Sequence, residues 1–400
     1  MIKLLIKKIT PRFILDFYHL SLAIFAKIIY GNPSSKMTIV GVTGTKGKSS
    51  TCYFTSQILE SAGKKVGMTS TTLFKVGSDE WLNDKKMTML GRFQTQKLLS
   101  RMVKEGCEIA IIETSSEGIA QFRHIGIDYD MVVFTNLYPE HIDSHGSFEK
   151  YKEAKGKLFE HLEKSPKKNK ISVVNIEDEH AVYFLGFEVD KKLPYGKKGW
   201  QQTWKFNLLG EFNKMNVIAA ASVARELGVD EGGIADGVSN LKPLPGRLEF
   251  IENDLGMYII VDYSYDPKAM EKLYETISAI QYEKLIHVLG GTGGGRDKAR
   301  RPILGKMASD KADHIIITDE DPYDENPEEI MDQVAEKVAK EKLLKILDRK
   351  KAIAKAIEIA SKGDLILITG KGAEQAMCVA GGKKIAWDDR SIVREELEKL

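Results

Sequence analysis

The stretch Gly44-Thr45-Lys46-Gly47-Lys48-Ser49-Ser50 constrains this chain more than any other. A β-branched run, Met37 to Thr43, leads into it, and an amphipathic stretch from about Thr51 to Ala62 leaves it. Strand, glycine-rich turn and helix in that order form a phosphate cradle. The glycines let backbone N–H groups curl around phosphate oxygens, and the helix N-terminus favours negative charge. Lys48 is placed to reach the β- and γ-phosphates, and Ser49 to put its hydroxyl on Mg²⁺. Five residues separate Gly41 from Gly47 and two separate Gly44 from Gly47. The usual spacing is four, so only the compact form Gly-Thr-x-Gly-Lys-Ser is met in full. A nucleotide site is expected here.

Length and charge narrow the rest. Four hundred residues suffice for two or three domains. A net charge of +2 argues against a broad nucleic-acid surface. Cys52, Cys107 and Cys378 are far apart and lack metal-ligand spacing, which fits packing residues in a reducing cytoplasm. Residues 1–36 stand apart as a basic, apolar helical segment: Lys3, Lys7, Lys8 and Arg12 accompany Ile2, Leu4, Leu5, Ile6 and Ile9, and Phe13 to Tyr30 is largely apolar. No small-residue cleavage site follows, and the run is short and interrupted for a spanning helix. Two readings stand: a helix in a membrane interface, giving peripheral contact through residues 1–30, or one packed on the protein body.

From residue 37 to 241 apolar runs alternate with helical stretches, the pattern of a parallel α/β sheet. Strands are expected at Met37–Val42, Glu108–Glu113, Met131–Asn136 and Ile171–Asn175. Open α/β sheets place ligands beyond the carboxyl ends of their strands. One such end is Glu113-Thr114-Ser115-Ser116, where a carboxylate beside a phosphate loop suits Mg²⁺. The next, Thr135-Asn136 to His145-Gly146, packs amide, carboxylate and imidazole groups into a dozen residues. Residues 242–400 read as a second α/β unit. Its strands are expected at Met257–Asp262, Leu285–Leu289, His314–Thr318 and Asp364–Thr369, and its helices at Ala269–Ala279, Arg300–Ser309, Glu328–Glu341 and Lys350–Ser361. The glycine run 290–295 lacks the dinucleotide spacing. It reads instead as a loop letting backbone approach an incoming amino acid.

Taken in order, these motifs resemble the Mur ligase family. The match includes Thr135-Asn136-Leu137-x-x-Glu140-His141-x-Asp143-x-His145-Gly146, Tyr151-Lys152-Glu153-Ala154-Lys155, Leu209-Gly210-Glu211-Phe212-Asn213-x-x-Asn216 and Leu244-Pro245-Gly246-Arg247. Val261-Asp262-Tyr263, Gly293 to Lys298, Thr318 to Pro322 and Gly370-Lys371-Gly372-Ala373-Glu374 narrow it to the MurE type. The resemblance implies an α/β chain with a central P-loop ATPase-like parallel-sheet domain followed by a Rossmann-like α/β domain. It also implies an ATP-dependent ligase that joins an amino acid to a muramoyl-peptide through an acyl phosphate; a monomer is expected. Gly44, Thr45, Lys46, Gly47, Lys48, Ser49 and Ser50 would cradle ATP, with Asn136, Asn213 and Asn216 at adenine. Arg247 and Asp262 would meet the γ-phosphate and ribose, closing the last domain over the first. Ser49, Glu113, His141 and a carbamylated Lys155 would serve Mg²⁺; forming the carbamate needs a neutral amine, so Lys155 should be desolvated.

For substrates the resemblance implies Thr88, Ser115, Ser116, Gln121, Arg123, Arg296, Glu320, Asp321, Gly370 and Glu374. Several departures bear on this set. Asp321-Pro322-Tyr323 stands where diaminopimelate enzymes carry Asn-Pro-Arg. Glu320, Asp321 and Glu374 suit a side-chain ammonium instead, so L-lysine or L-ornithine is expected. The loop Met87-Thr88-Met89-Leu90 keeps one threonine of the family's Thr-Thr-Pro, and Glu117 stands where histidine is common. The family's N-terminal UDP-binding domain is replaced by residues 1–36, which leaves a lipid-linked acceptor at the inner membrane face open. Rivals are a folylpolyglutamate synthase-like ligase, a nucleotide switch and a non-catalytic subunit.

Overall fold

The computed structural model describes residues 11–139, 145–295 and 298–400, in two compact units, Met1–Lys242 and Pro243–Leu400. The first begins with helix α1 (Arg12–Ile29) and continues through strand β1 (Thr38–Thr43), helix α2 (Lys48–Ser61) and a hairpin ribbon. That ribbon is β2 (Val66–Thr69), β3 (Leu73–Val76) and β4 (Asp79–Leu82). Next come α3 (Arg92–Lys104), β5 (Ile109–Glu113), α4 (Ser116–Ala120), β6 (Met131–Phe134), α5 (Phe148–Glu163) and β7 (Ile171–Asn175). A short α6 (Ala181–Leu185), β8 (Lys191–Tyr195), α7 (Glu211–Glu226) and α8 (Glu231–Ser239) complete it.

The eight strands run β4-β3-β2-β5-β1-β6-β7-β8. The six from β2 to β8 are parallel, and β3 and β4 fold back antiparallel at one edge. Strand β1 is buried on both faces, which is why Thr38-Ile39-Val40-Gly41-Val42-Thr43 reads as a continuous β-branched run and not an alternation. Its register aligns the carboxyl ends of the central strands. Val42 lies opposite Glu113 of β5, and Thr43 opposite Phe134 of β6, so three strands end at one level. The core against this sheet holds Ile39, Val132, Phe134, Leu158 and Phe159, with Phe134 stacked on Phe184 at 3.9 Å.

The second unit repeats the principle. Its elements are β9 (Glu249–Phe250), β10 (Tyr258–Asp262), α9 (Pro267–Ile277), β11 (Leu285–Leu289), α10 (Arg300–Lys311), β12 (His314–Ile317), α11 (Pro327–Ala335) and β13 (Leu343–Lys345). Then follow α12 (Arg349–Ile359), β14 (Leu365–Thr369), a small hairpin β15 (Ala376–Val379) and β16 (Lys383–Ala386), and α13 (Asp389–Leu397). Strand order is β13-β12-β11-β14-β10-β9, parallel except for β9. The four strands expected in this unit stand within a residue of their predicted ends, whereas in the first unit the one expected at Met131–Asn136 closes two residues early, at Phe134. The helix expected over Glu328–Glu341 closes at Ala335, because the chain turns there, Val338 N–H donating to Ala335 O, before a 3₁₀ turn at Lys340–Lys342.

Two buried polar features fix the second unit. Arg349 is fully buried and forks onto both oxygens of Asp389 at 2.8 and 2.7 Å, while Trp387 Nε1 donates to the same carboxylate at 2.8 Å. Asp389→Ala would strand that guanidinium. We expect a loss of about 3–5 kcal/mol, read as a lowered urea midpoint by the fluorescence of Trp387. His287 sits between Tyr274 Oη, 2.8 Å from Nδ1, and Thr369 Oγ1, 2.9 Å from Nε2. Burial first, and the Arg349 charge second, push its pKa down to about 3 from 6.5. Between those values the unfolded chain binds a proton that the folded one does not. The contribution is therefore complete above about pH 6.5 and falls by about 1.4 kcal/mol per pH unit on acidification. Urea titrations between neutral pH and mild acid should show this slope, flattened in His287→Asn.

Candidate active site

The turn from β1 to α2 has the backbone that its glycines predict. Gly44 and Gly47 take φ of +152° and +80°. A Cβ on Gly44 would lie 1.9 Å from Thr135 Oγ1, and one on Gly47 would lie 2.3 Å from Asn216 Oδ1. No larger residue fits either place without moving a neighbour. The end of β6 braces the turn: Thr45 N–H donates to Asn136 O at 2.8 Å, and Lys46 N–H to Asn136 Oδ1 at 2.9 Å. Asn136 Nδ2 and Thr135 Oγ1 both donate to Lys46 O, at 3.1 and 2.7 Å. Lys48 folds back to donate to Thr45 O at 2.8 Å. Asn216 Nδ2 donates to Asn213 Oδ1 at 3.2 Å, so this pair stands on α7 against the same turn.

Beside the turn lies a buried carboxylate. Glu113 ends β5 at 1% exposure and accepts from Ser49 Oγ at 2.7 Å, Thr71 N–H at 2.7 Å and Thr71 Oγ1 at 2.9 Å. Thr71 Oγ1 in turn lies 2.9 Å from Thr88 Oγ1. Glu113, Ser49 and Thr88, three residues singled out separately, are thus brought together, Ser49 directly and Thr88 through Thr71. Lys155, on α5, is 1% exposed; its Nζ donates to Gly44 O at 2.6 Å and lies over the Tyr151 ring at 4.5 Å. Tyr151 Oη reaches Thr45 Oγ1 at 3.1 Å. The desolvation expected of Lys155 is present.

Farther along the same edge, Ser115 caps α4 and Ser116 Oγ meets His145 Nε2 at 3.1 Å. Arg123 Nη2 donates to Gln121 Oε1 at 2.7 Å and Nη1 to Met89 O, while Arg92 Nη2 donates to Gln121 O. Burial lowers the pKa of both arginines, and the charge of Arg123 lowers that of Arg92 further. Arg92 Nε is buried without a hydrogen-bond partner. Two half-buried guanidiniums therefore face carbonyl and amide oxygens only, among the hydrogen bonds of the described residues.

The second unit carries its own polar cluster. Lys371 Nζ is fully buried and donates to both Asp321 oxygens at 3.0 Å, to Glu374 Oε2 at 2.7 Å and to Ala376 O at 2.8 Å. Tyr263 Oη donates to Glu374 Oε1 at 3.2 Å, and the Arg247 guanidinium lies 4.2 Å over the Tyr263 ring. Asp262 takes Leu248 N–H at 2.7 Å and the Ser264 N–H and hydroxyl. Glu320 is buried, its pKa raised by that burial, with Thr292 Oγ1 donating to it at 2.6 Å. Gly370 faces it: a Cβ there would lie 2.3 Å from Glu320 Oε2.

The chain matches the Mur ligase middle domain over residues 42–203 and the Mur ligase glutamate ligase domain over residues 246–372. The chain belongs to the Mur ligase family. That makes it an ATP-dependent ligase. It is 34% identical over 424 residues to a UDP-N-acetylmuramyl-tripeptide synthetase of Roseiflexus sp. (strain RS-1), covering 95% of this chain and 82% of that one. A UDP-N-acetylmuramoyl-L-alanyl-D-glutamate–2,6-diaminopimelate ligase of Caldanaerobacter subterraneus subsp. tengcongensis is 33% identical over 403 residues, 94% and 81% of the two chains. A solved ligase of the same description superposes with a TM-score of 0.59 at 28% identity over 91% of this chain and 78% of its own.

Within this Mur ligase, His141 and Arg296 lie outside the described residues. The glycine run 290–295 packs on protein: Gly293 N–H donates to Asp321 O at 2.8 Å, and the Tyr323 ring lies against Gly294. Reading the sequence missed Thr71, Arg92 and Lys371. Thr71 follows a strand end in a ribbon that carries no motif, and Arg92 opens an ordinary amphipathic helix. Lys371 lies inside a quoted motif, where nothing local sets it against Asp321, 50 residues away. Gly47→Ala should weaken ATP binding by at least about tenfold, the cost of a clash beside the cradle, measured by titration with a fluorescent ATP analogue while circular dichroism stays unchanged.

Proposed function

We propose that this ligase activates a carboxylate of a muramoyl-peptide with ATP and joins it to an amino acid. The observation that carries the reading is Glu113, buried and bonded to Ser49 one residue beyond Lys48, with Lys155 held on the same turn at Gly44 O. Backbone N–H groups at the N-terminus of α2 and the Lys48 ammonium bind the triphosphate. The γ-phosphoryl passes to a carboxylate oxygen, giving ADP and an acyl phosphate. A neutral amine attacks the acyl carbon, the C–O bond to phosphate breaks, phosphate leaves, and the amine loses a proton to solvent. Ser49 and Glu113 offer the oxygen donors that a hard cation takes. Mg²⁺ held there would neutralise repulsion between two anionic reactants. Lys155 is desolvated as a lysine that adds CO₂ as a carbamate must be, exchanging a cation for an anion. The need for ATP puts the site of action in the cytoplasm.

Arg92 and Arg123 are read as the grip on the acceptor's carboxylates, since half-buried guanidiniums whose hydrogen bonds go to carbonyl and amide oxygens suit a bidentate anion. Mass spectrometry of products formed from ATP, a UDP-muramoyl-dipeptide and an amino-acid mixture tests the ligase reading; ATP turnover without a new amide would overturn it. Arg92→Ala should raise KM for the acceptor by about tenfold or more with kcat little changed, and Arg92→Lys should recover part of the loss.

The amino acid is read as a diamino acid whose side-chain ammonium faces acid groups, L-lysine or L-ornithine. Asp321 and Glu374 supply two carboxylates against one Lys371, and Tyr323, not arginine, follows Pro322. The chain's relatives include a 2,6-diaminopimelate ligase, so the choice needs its own test. Phosphate release across a panel should favour L-lysine or L-ornithine; preference for 2,6-diaminopimelate would overturn that choice and leave the ligase reading standing.

A further inference from the structure

Helix α1 is packed the wrong way round for a helix that only serves a core. Its small residues face the protein: Ala23 and Ala26 are 1% and 0% exposed, and a Cβ on Gly126 would lie 2.9 Å from Ala23 O. Its large residues face out. Ile14, Phe17, Tyr18, Ile24, Phe25 and Ile28 are between 45% and 72% exposed. At 100° per residue they fall within an arc of about 120°, interrupted by Ser21 alone, whose hydroxyl donates to Phe17 O at 2.8 Å. The inner side is fastened by Lys27, which donates to Asp128 at 2.8 Å, and by Asn32 and Ser34 on the same residue at 3.0 Å each. The outward face is therefore held rigidly on the first unit.

We propose that this face docks on a bilayer surface bearing anionic headgroups. Charge complementarity selects that occupant. In the first 29 residues Lys3, Lys7, Lys8, Arg12 and Lys27 stand against Asp16 alone, a surplus of four in a chain whose total is +2, so the remainder is net negative. Lys27 is neutralised by Asp128, and the other basic residues, Lys3, Lys7, Lys8 and Arg12, all precede the apolar face in sequence. Aromatic and aliphatic groups beside lysines form the pattern of a helix lying in the headgroup boundary. No helix among the described residues is long and apolar enough to cross a membrane, and the inner side of α1 is occupied by protein, so the helix lies on the surface. A second copy of the chain fits less well: a stable interface takes about 20–30 residues a side, and one helix face offers far fewer. The face also adjoins α3, Phe25 standing edge-on to Phe93 at 6.2 Å next to Arg92. Docking would set the acceptor arginines beside the bilayer, and it stands whichever acceptor they take.

Co-sedimentation of the full chain tests the proposal. The protein should pellet with mixed phosphatidylcholine–phosphatidylglycerol vesicles, less with phosphatidylcholine alone, and less as salt rises. Phe17→Ser/Phe25→Ser/Ile28→Ser should lower the partition coefficient by at least about tenfold, with circular dichroism and ATP binding unchanged. Lys3→Ser/Lys7→Ser/Lys8→Ser should remove the preference for the anionic vesicles. The proposal is overturned if the wild-type chain stays in the supernatant, or if the apolar triple variant pellets as well as wild type. It is also overturned if light scattering finds a dimer that the triple variant splits while neither binds vesicles.

Discussion

Glu113 is the constraint on which the rest of the first unit turns. A carboxylate at 1% exposure is costly to bury unless its oxygens are taken up by donors. Here the donors come from the first turn of α2 (Ser49) and from the strand end beyond β2 (Thr71). The parallel register sets Glu113 opposite Val42, one residue before β1 ends. The carboxylate therefore cannot drift from the phosphate turn without breaking the sheet. Geometry that in a loop would need separate bracing comes here from the strand ladder, as ligand sites at the carboxyl ends of parallel strands do generally.

The legible parts of the fold were those in which one local signal decides the answer. β1 and its turn show in composition alone, because a strand buried on both faces must be apolar throughout and a phosphate turn must be glycine-rich. Ser49 and Glu113 were legible as separate residues. Their direct hydrogen bond was not, since it depends on strand order 5-1-6 and a register that no local window encodes. Arg92 and Thr71 carry no pattern at all; they become visible only once α3 and the ribbon are set beside β5. Asn136 shows a subtler case. Its motif marks it for a nucleotide base, while its amide here accepts from the Lys46 N–H and donates to the Lys46 C=O, so bracing the turn is at least part of its work.

Lys371 shows why charge counting in sequence misleads. Glu320, Asp321 and Glu374 read as three free anions awaiting a cation. In the fold the chain supplies a cation of its own, fully buried and shared between Asp321 and Glu374, and burial biases Glu320 toward its neutral form. The cluster keeps one net negative charge from the Asp321–Lys371–Glu374 group, not three. Any amino-acid selectivity built there rests on the shape held by Lys371 as much as on attraction.

Backbone strain points to the same places. Six non-glycine residues among those described have positive φ, and three of them carry large apolar or aromatic side chains: Phe122 at +57°, Leu248 at +45° and Tyr323 at +52°. Each such residue costs about 1–3 kcal/mol and persists only where its surroundings over-determine it. Phe122 N–H donates to Ile119 O at 2.9 Å, Leu248 N–H to the Asp262 carboxylate at 2.7 Å, and Tyr323 N–H to Cys378 O at 3.0 Å. Each also lies next to a residue already implicated: Phe122 between Gln121 and Arg123, Leu248 after Arg247, Tyr323 two residues beyond Asp321. Ordinary loops have no reason to hold bulky residues in the left-handed region when asparagine or glycine would serve. That all three fall at these positions argues that the loops are fixed by the side chains they must aim, and that the cost in backbone energy is met by the hydrogen bonds that hold each of them.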